Sequence, residues 1–183
     1  MHAQTERLIL RPLEERDRAD LERIMGDAQV RRFFPTRATA ADVDRFLTRV
    51  WQEMATHGFC FGAAELKADG RFIGIIGMAR FDEALQQATG AETEIGWQFD
   101  PAAWGQGLAP EGARAWLDYA WRDLGLEEVV AITAVQNRPS QRVMEKLGMV
   151  RDPGGDFDHP KIEAGHPLRR QVLYRIGNPS VGV

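Results

Sequence analysis

The sequence predicts an α+β fold in one domain over residues 1–183, and three observations point there. Strand-like segments are interleaved with segments whose apolar residues recur every three or four positions. Two of the strand-like segments meet through Ala68-Asp69-Gly70, a tight turn that makes them antiparallel neighbours. No repeat, low-complexity tract or linker divides the chain, and 183 residues suit one well-filled core.

The elements follow in order. Thr5–Pro12 reads as an edge strand, with Leu8 and Leu10 on one side and Arg7, Ile9 and Arg11 on the other. Glu14–Met25 reads as a helix with Leu21, Ile24 and Met25 at core spacing. Thr39 is placed to cap a second helix, in which Val43, Phe46, Leu47, Val50, Trp51 and Met54 recur at three and four. Phe59–Leu66 and Arg71–Phe81 are the strands of the hairpin. DEALQQATGA is a polar interruption before a strand over Glu92–Phe99. The stretch WGQGLAPEG, Trp104–Gly112, introduces a helix whose Ala113, Trp116, Leu117, Ala120, Trp121 and Leu124 form one apolar stripe, stopped at Gly125. Glu128–Val135 is a buried-type strand, Ser140–Leu147 a short helix closed by Gly148, and His166–Ile176 a late strand. The order is β-α-α-β-β-β-α-β-α-β.

Composition excludes several function classes. Hydrophobic residues make up 44% and charged residues 27%, and no run approaches the roughly 18 apolar residues of a membrane span. MHAQTERLILRPL lacks the charged start and apolar core of a secretory signal. A net charge of −4 offers no basic excess for a nucleic-acid backbone. Cys60, the single cysteine, suits a reducing cytoplasm; in FCFGAAEL it reads as a buried structural thiol. His57, His159 and His166 lack the short paired spacing of zinc ligands, so no metal is expected. The expectation is a cytoplasmic protein with no membrane or nucleic-acid partner, as monomer or homodimer.

The glycine loop carries the functional argument. An ordinary surface turn needs at most one glycine, whereas backbone wrapped around a phosphate needs several residues without bulk. A dinucleotide fingerprint would need glycine where Pro110 stands, and a P-loop would end in Gly-Lys-Ser or Gly-Lys-Thr, which Leu108-Ala109-Pro110 does not supply. Two readings remain: a plain capped helix start, or an open helix N-terminus that seats a pyrophosphate. In the second, Gly105 and Gly107 permit close approach and Pro110 fits the first turn without wasting a donor.

Downstream, AVQNRPSQRVMEKLGM puts Asn137 and Ser140 at a strand end and helix start. Together with EIGWQFDPAAWGQGLAPEGARA it resembles the GNAT superfamily of N-acetyltransferases, and more closely its RimJ/RimL-like branch. The resemblance runs from TERLILRPL to HPLRRQVLYRI and rests on the combined spacing of these motifs. It implies a mixed, mostly antiparallel twisted sheet whose central parallel strands splay apart, flanked by helices. It further implies acetyl-CoA lying between Glu92–Phe99 and Glu128–Val135, with pantetheine against the backbone near Trp97 and Phe99. The pyrophosphate would rest on the amides of Gly105, Gln106, Gly107, Leu108 and Ala109. Gly96 falls where the family places a bulge, and Trp104 stands where the superfamily usually has Gln or Arg.

Direct transfer to an amine needs a base, since an alkyl amine near pKa 10 is mostly protonated at neutral pH. Glu94 is the first candidate and Glu92 the second; a glutamate paired with arginine, or a proton path through water, is the alternative. Where many relatives carry a tyrosine acid this chain has Met144, which leaves Ser140 as the hydroxyl near the thiol, or simply as a helix-start residue. Asn137 binds pantetheine or the acceptor, or caps the helix. His159 either borders the acceptor site or is solvated. The arginines of VRRFF are expected on solvated faces, with Phe33, Phe34 and Pro35 as an acceptor wall and Arg142 and Lys146 near the nucleotide end. The expected activity is acetyl transfer from acetyl-CoA to a primary amine, on a small molecule or a protein N-terminus. A non-catalytic acyl-CoA-binding domain is the alternative.

Overall fold

A computed structural model describes residues 1–181. Its centre is a strand with almost no polar interruption. Phe72–Arg80 (FIGIIGMAR) is buried at every position but its last, as expected of a strand covered on both faces. Around it, Ala3–Gln4 (β1), Leu8–Arg11 (β2), Gly62–Leu66 (β3), Phe72–Arg80 (β4), Thr93–Phe99 (β5), Glu128–Ala134 (β6), Val150–Arg151 (β7), Phe157–Asp158 (β8) and Arg170–Gly177 (β9) form one sheet. Strand order is β1-β2-β3-β4-β5-β6-β9-β7, with β8 also on β9. Every pairing is antiparallel except β5 with β6, so the expected mixed α+β sheet with one central parallel junction is present.

Helices cover both faces. Arg18–Gly26 (α1) and Ala40–His57 (α2) pack Leu21, Ile24, Val43, Leu47 and Val50 on Cys60, Ala63, Ile75 and Ala79. Leu108–Arg122 (α4) and Arg138–Lys146 (α5) pack Trp116, Leu117 and Met144 against Ile76, Met78 and Ile95 on the opposite face. Thr39 caps α2 as expected: its hydroxyl accepts from the Asp42 amide while the Asp42 carboxylate accepts from the Thr39 amide. Burial pushes the Cys60 thiol up to about 11, which keeps it an unreactive core group.

Several boundaries differ from the sequence expectation. The helix foreseen from Glu14 begins as a 3-10 turn over Glu15–Asp17 and becomes α-helical at Arg18. The polar interruption holds a helix, Glu83–Thr89 (α3), capped by the Asp82 carboxylate on the Leu85 amide. It turns only Leu85 and Thr89 inward, too few to show a periodicity. The supposed edge strand pairs on both sides, with β1 and with β3. In consequence Arg11 is buried, and Asp17 and Glu65 surround it. Asp17 accepts from both its terminal nitrogens, at 2.7 and 2.6 Å, and Glu65 accepts from Nε at 3.0 Å. No bulge lies at Gly96: the β4–β5 register runs unbroken through Gly77 opposite Gly96. The glycine is explained by packing instead, since a Cβ there would come within 3.2 Å of the Phe61 ring.

Candidate active site

The sheet is open where β5 and β6 part. They share register only at Glu94 and Val130, near the start of both strands, and beyond that pair they diverge. Crevices that take ligands form at the carboxyl ends of parallel strands. Each strand here then runs on into a helix start, β5 through the glycine loop into α4 and β6 into α5. Two positive helix ends therefore border the mouth of a cleft of about 750 Å³.

The loop is shaped to present amides. Gly105 and Gly107 have φ of 75° and 78°, a left-handed conformation that favours glycine. Among the described residues, the N–H groups of Gly105, Gln106, Gly107, Leu108 and Ala109 have no protein acceptor, and α4 has no side-chain cap. Arg7 of the chain before β2 holds the loop in place. It donates to the Gln106 carbonyl at 2.8 Å and to Glu111 of α4 at 2.7 Å, while the Arg7 amide also donates to Glu111. Because a peptide unit is planar and trans, tying down the Gln106 carbonyl turns the Gly107 N–H the opposite way. An N-terminal basic residue in a strand pattern gives no sequence signal of this role.

The cleft brings together most of the expected residues. Glu94, Trp97, Phe99, Gly105, Gly107, Leu108, Ala109, Asn137 and Ser140 all line it. Gln106 does not: its side chain turns back to the Ala102 carbonyl, leaving only its backbone at the loop. Ile95 and Phe99 join the core under α4, with Trp97 packed against it, so what this stretch offers the cleft is chiefly backbone. Glu94, Gly96 and Gln98 alternate onto the other face, where Phe61, Arg31 and Arg49 lie.

Glu94 makes no side-chain hydrogen bond or ion pair among the described residues, so the arginine-paired alternative is not what the structure holds. Half-buried by exposure yet deep in the cleft, its carboxyl is pushed by burial up to about 7, against the pull of the Arg49 and Lys161 charges. Glu92, the second candidate, is exposed and paired with Arg80. Across the cleft Asn137 caps α5: its Oδ1 accepts from the Ser140 amide, and its Nδ2 donates to Thr133 at 2.8 Å and to the Ser140 hydroxyl at 3.1 Å. With that hydroxyl already accepting, its own proton remains free to be donated. Met144 is buried in the core and also lines the cleft, where it can offer no proton, and both tyrosines, Tyr119 and Tyr174, lie outside the lining.

Other placements correct the sequence reading. Arg31, expected in solvent, is half-buried in the cleft lining; Arg32 is exposed as expected but also borders the cleft, as do His159, Phe33 and Phe34, whereas Pro35 does not. Arg142 and Lys146 line it as expected. Trp104 is half out in solvent, its indole donating to the Phe99 carbonyl and its face within 5.5 Å of the Arg32 guanidinium. Gln98 and Arg49 were not foreseen, because a strand glutamine and a helix-face arginine look like surface residues in sequence.

Residues 7–150 match the family model described as an acetyltransferase (GNAT) domain. The chain belongs to the GNAT acetyltransferases. An uncharacterised N-acetyltransferase of Bacillus subtilis, YnaD, is 30% identical over 83% of this chain and 84% of its own. The FsC-acetyl coenzyme A-N(2)-transacetylase of Aspergillus fumigatus is 29% identical over 97% of this chain and 80% of its own. A GNAT-family acetyltransferase of Bacillus anthracis superposes with TM-score 0.78 at 27% identity, covering 97% and 99% of the two chains. The enzyme class and the sheet architecture of this GNAT chain agree with those relatives. No described helix is long and apolar enough to cross a membrane, and no group of three or more metal-ligating side chains gathers among the described residues.

Proposed function

We propose that residues 1–183 act as one RimJ/RimL-like GNAT domain that moves an acetyl group from acetyl-CoA directly to a primary amine, in a cytoplasmic setting. The observation that carries this reading is the open junction of β5 and β6 ending in five unpartnered amides. Those amides, at a helix N-terminus, fit a pyrophosphate. The exposed backbone of β5 beyond Glu94 fits a pantetheine arm laid alongside it as an extra strand. The A. fumigatus relative, named for an acetyl-CoA-dependent N(2) transfer, supports the same donor and acceptor chemistry.

Each residue then has a task. Gly105 to Ala109 seat the diphosphate, and the backbone near Trp97, Phe99 and Asn137 holds the arm. Acetyl-CoA supplies an activated acetyl carbon. Glu94 takes a proton from the incoming ammonium, directly or through water. An amide between Ile95 and Trp97 donates to the oxyanion as it develops. Ser140 gives a proton to the departing sulfur and recovers one from the acylated nitrogen as the tetrahedral adduct collapses. Release of free CoA thiol across a panel of primary amines tests the whole reading, and binding of acetyl-CoA with no thiol release from any amine or protein N-terminus would overturn it.

Two substitutions test the parts. Gly107→Val places a β-branched side chain in a left-handed conformation, at a strain of about 1–3 kcal/mol, with its Cβ 3.6 Å from Nη2 of the Arg7 that holds the loop, so the amides lose their common aim. Its expected effect is a rise of about 10- to 100-fold in the acetyl-CoA dissociation constant measured by calorimetry, with far-ultraviolet circular dichroism unchanged. Unchanged affinity would count against the loop assignment. Ser140→Ala should lower kcat by about tenfold or more with acetyl-CoA KM nearly constant, since a thiolate can leave unaided but less readily. Equal turnover would remove the hydroxyl from the mechanism.

A further inference from the structure

The acceptor side of the cleft carries positive charge that the fold does not neutralise. Arg31 and Arg32 sit on the 3-10 turn Val30–Phe33 between α1 and α2, and Arg49 on α2; all three line the cleft. Arg7, Arg11, Arg18, Arg23 and Arg175 each meet a carboxylate. Among the described residues Arg31, Arg32 and Arg49 form no ion pair, and neither do Arg142, which also lines the cleft, or Arg37, Arg114, Arg122 and Arg138 outside it. Asp42 is the nearest acid to act on Arg31, and it is already engaged by Thr39 and Arg45.

Arg31 is nonetheless held in place. Its Nε donates to the Thr36 carbonyl at 3.1 Å, its Nη1 reaches Gln98 Oε1 at 3.5 Å, and its plane lies 3.8 Å over the Phe34 ring. Its Nη2 makes no hydrogen bond among the described residues. Facing a guanidinium, the Gln98 carboxamide must turn its oxygen to Arg31, and its buried Nε2 is then left with no acceptor. Gln98 is only 9% exposed, so this orphaned donor is costly. Gln98 and Glu94 share one face of β5, about 13 Å apart along the strand. One end of the lobe thus has a base for an ammonium, and the other has donors without acceptors.

We infer that the acceptor amine carries a carboxylate, seated by Arg31 with the Gln98 amide turning to meet it. The inference rests on the acetyl-transfer reading above and names its substrate class. A carboxylate supplies the planar pair of acceptors that a guanidinium fork matches, and the net charge that three unpaired arginines favour. A polyamine would meet three like charges and only one carboxylate.

The test compares each amino carboxylate with its own carboxamide: alanine, phenylalanine and aminohexanoate, with spermidine as a cationic contrast. Two readouts are used: thiol release with acetyl-CoA, and calorimetric binding to the CoA-loaded protein, which needs no turnover. The parent should favour the best carboxylate over its amide by about 10- to 100-fold. Arg31→Gln should shrink that ratio to within about threefold, and Arg31→Lys should restore part of it. If Arg31→Gln does not fold, Gln98→Leu, which removes the orphaned amide from the same seat, gives the readout. Equal or better use of the amides or of spermidine by the parent overturns the inference while acetyl transfer stands; so does an unchanged ratio in both the Arg31 and the Gln98 variants. If no amine releases thiol, the acetyl-transfer reading falls, and the calorimetric preference alone decides the carboxylate seat.

Discussion

Glu94→Gln is expected to lower kcat by about 10²- to 10⁴-fold while acetyl-CoA affinity stays within about twofold of the parent. Glutamine keeps the size and hydrogen-bonding reach of the side chain but cannot take a proton, so the change isolates base function from packing. The direction of the pH dependence follows from the raised carboxyl. A base must be deprotonated to work, and burial pushes Glu94 up to about 7, so activity should rise as pH passes upward through about 7. An ordinary carboxylate would already be ionised by pH 6 and would show no such limb. In the glutamine variant this limb should vanish, leaving a rise that follows the amine's own ionisation at higher pH. Steady-state rates from pH 5.5 to 9 read both effects. A variant within tenfold of the parent, with the limb intact, would assign the proton transfer to water or backbone.

The second large effect concerns stability. Asp17→Ala should cost about 3–5 kcal/mol, because it removes the main partner of a buried guanidinium. The Arg11 and Asp17 side chains are 7% and 4% exposed, and the Asp17 carboxylate also accepts from the Glu14 amide at the start of the turn that leads into α1. Without it, Arg11 keeps Glu65 but two of its donors lose their acceptor, and water cannot reach them easily. Domains of this size have about 5–15 kcal/mol in total, so the loss is a large share. Urea unfolding should show a lower midpoint at unchanged slope. Replacing Arg11, Asp17 and Glu65 together by apolar residues of like volume should be far milder, since the pair's desolvation cost goes with it. A loss under about 1 kcal/mol for the single change would mean that the cluster is wet or rearranges.

Much of the architecture was legible because the signals were local. Ala68-Asp69-Gly70 marked the hairpin, Thr39 marked the start of α2, and the stripe from Ala113 to Trp121 marked α4. The spacing of the motifs brought the glycine loop and Asn137 to the cleft, whereas Glu94 was chosen for its place beside a bulge that the strand does not have. What escaped depends on neighbours distant in sequence. Helix α3 has too narrow an apolar face to register, and Arg11 looked outward until β1 and β3 enclosed its strand. Gly96 was read as a bulge when Phe61, 35 positions earlier, is what needs the room. Arg7, Arg31 and Gln98 acquire meaning only from the loop, the turn and the strand that the fold brings beside them.

The two lobes of the cleft are drawn from different stretches of the polypeptide. Arg31, Phe34 and Arg49 come from the first third, whereas the glycine loop, Asn137 and Ser140 all come after Glu94. On the donor and acceptor assignment proposed above, selection can change what is acetylated by editing one short turn and one helix face while leaving the glycine loop untouched. That separation gives a protein engineer a natural seam: residues 29–49 can be diversified as a cassette for new acceptors while the rest of the chain is kept.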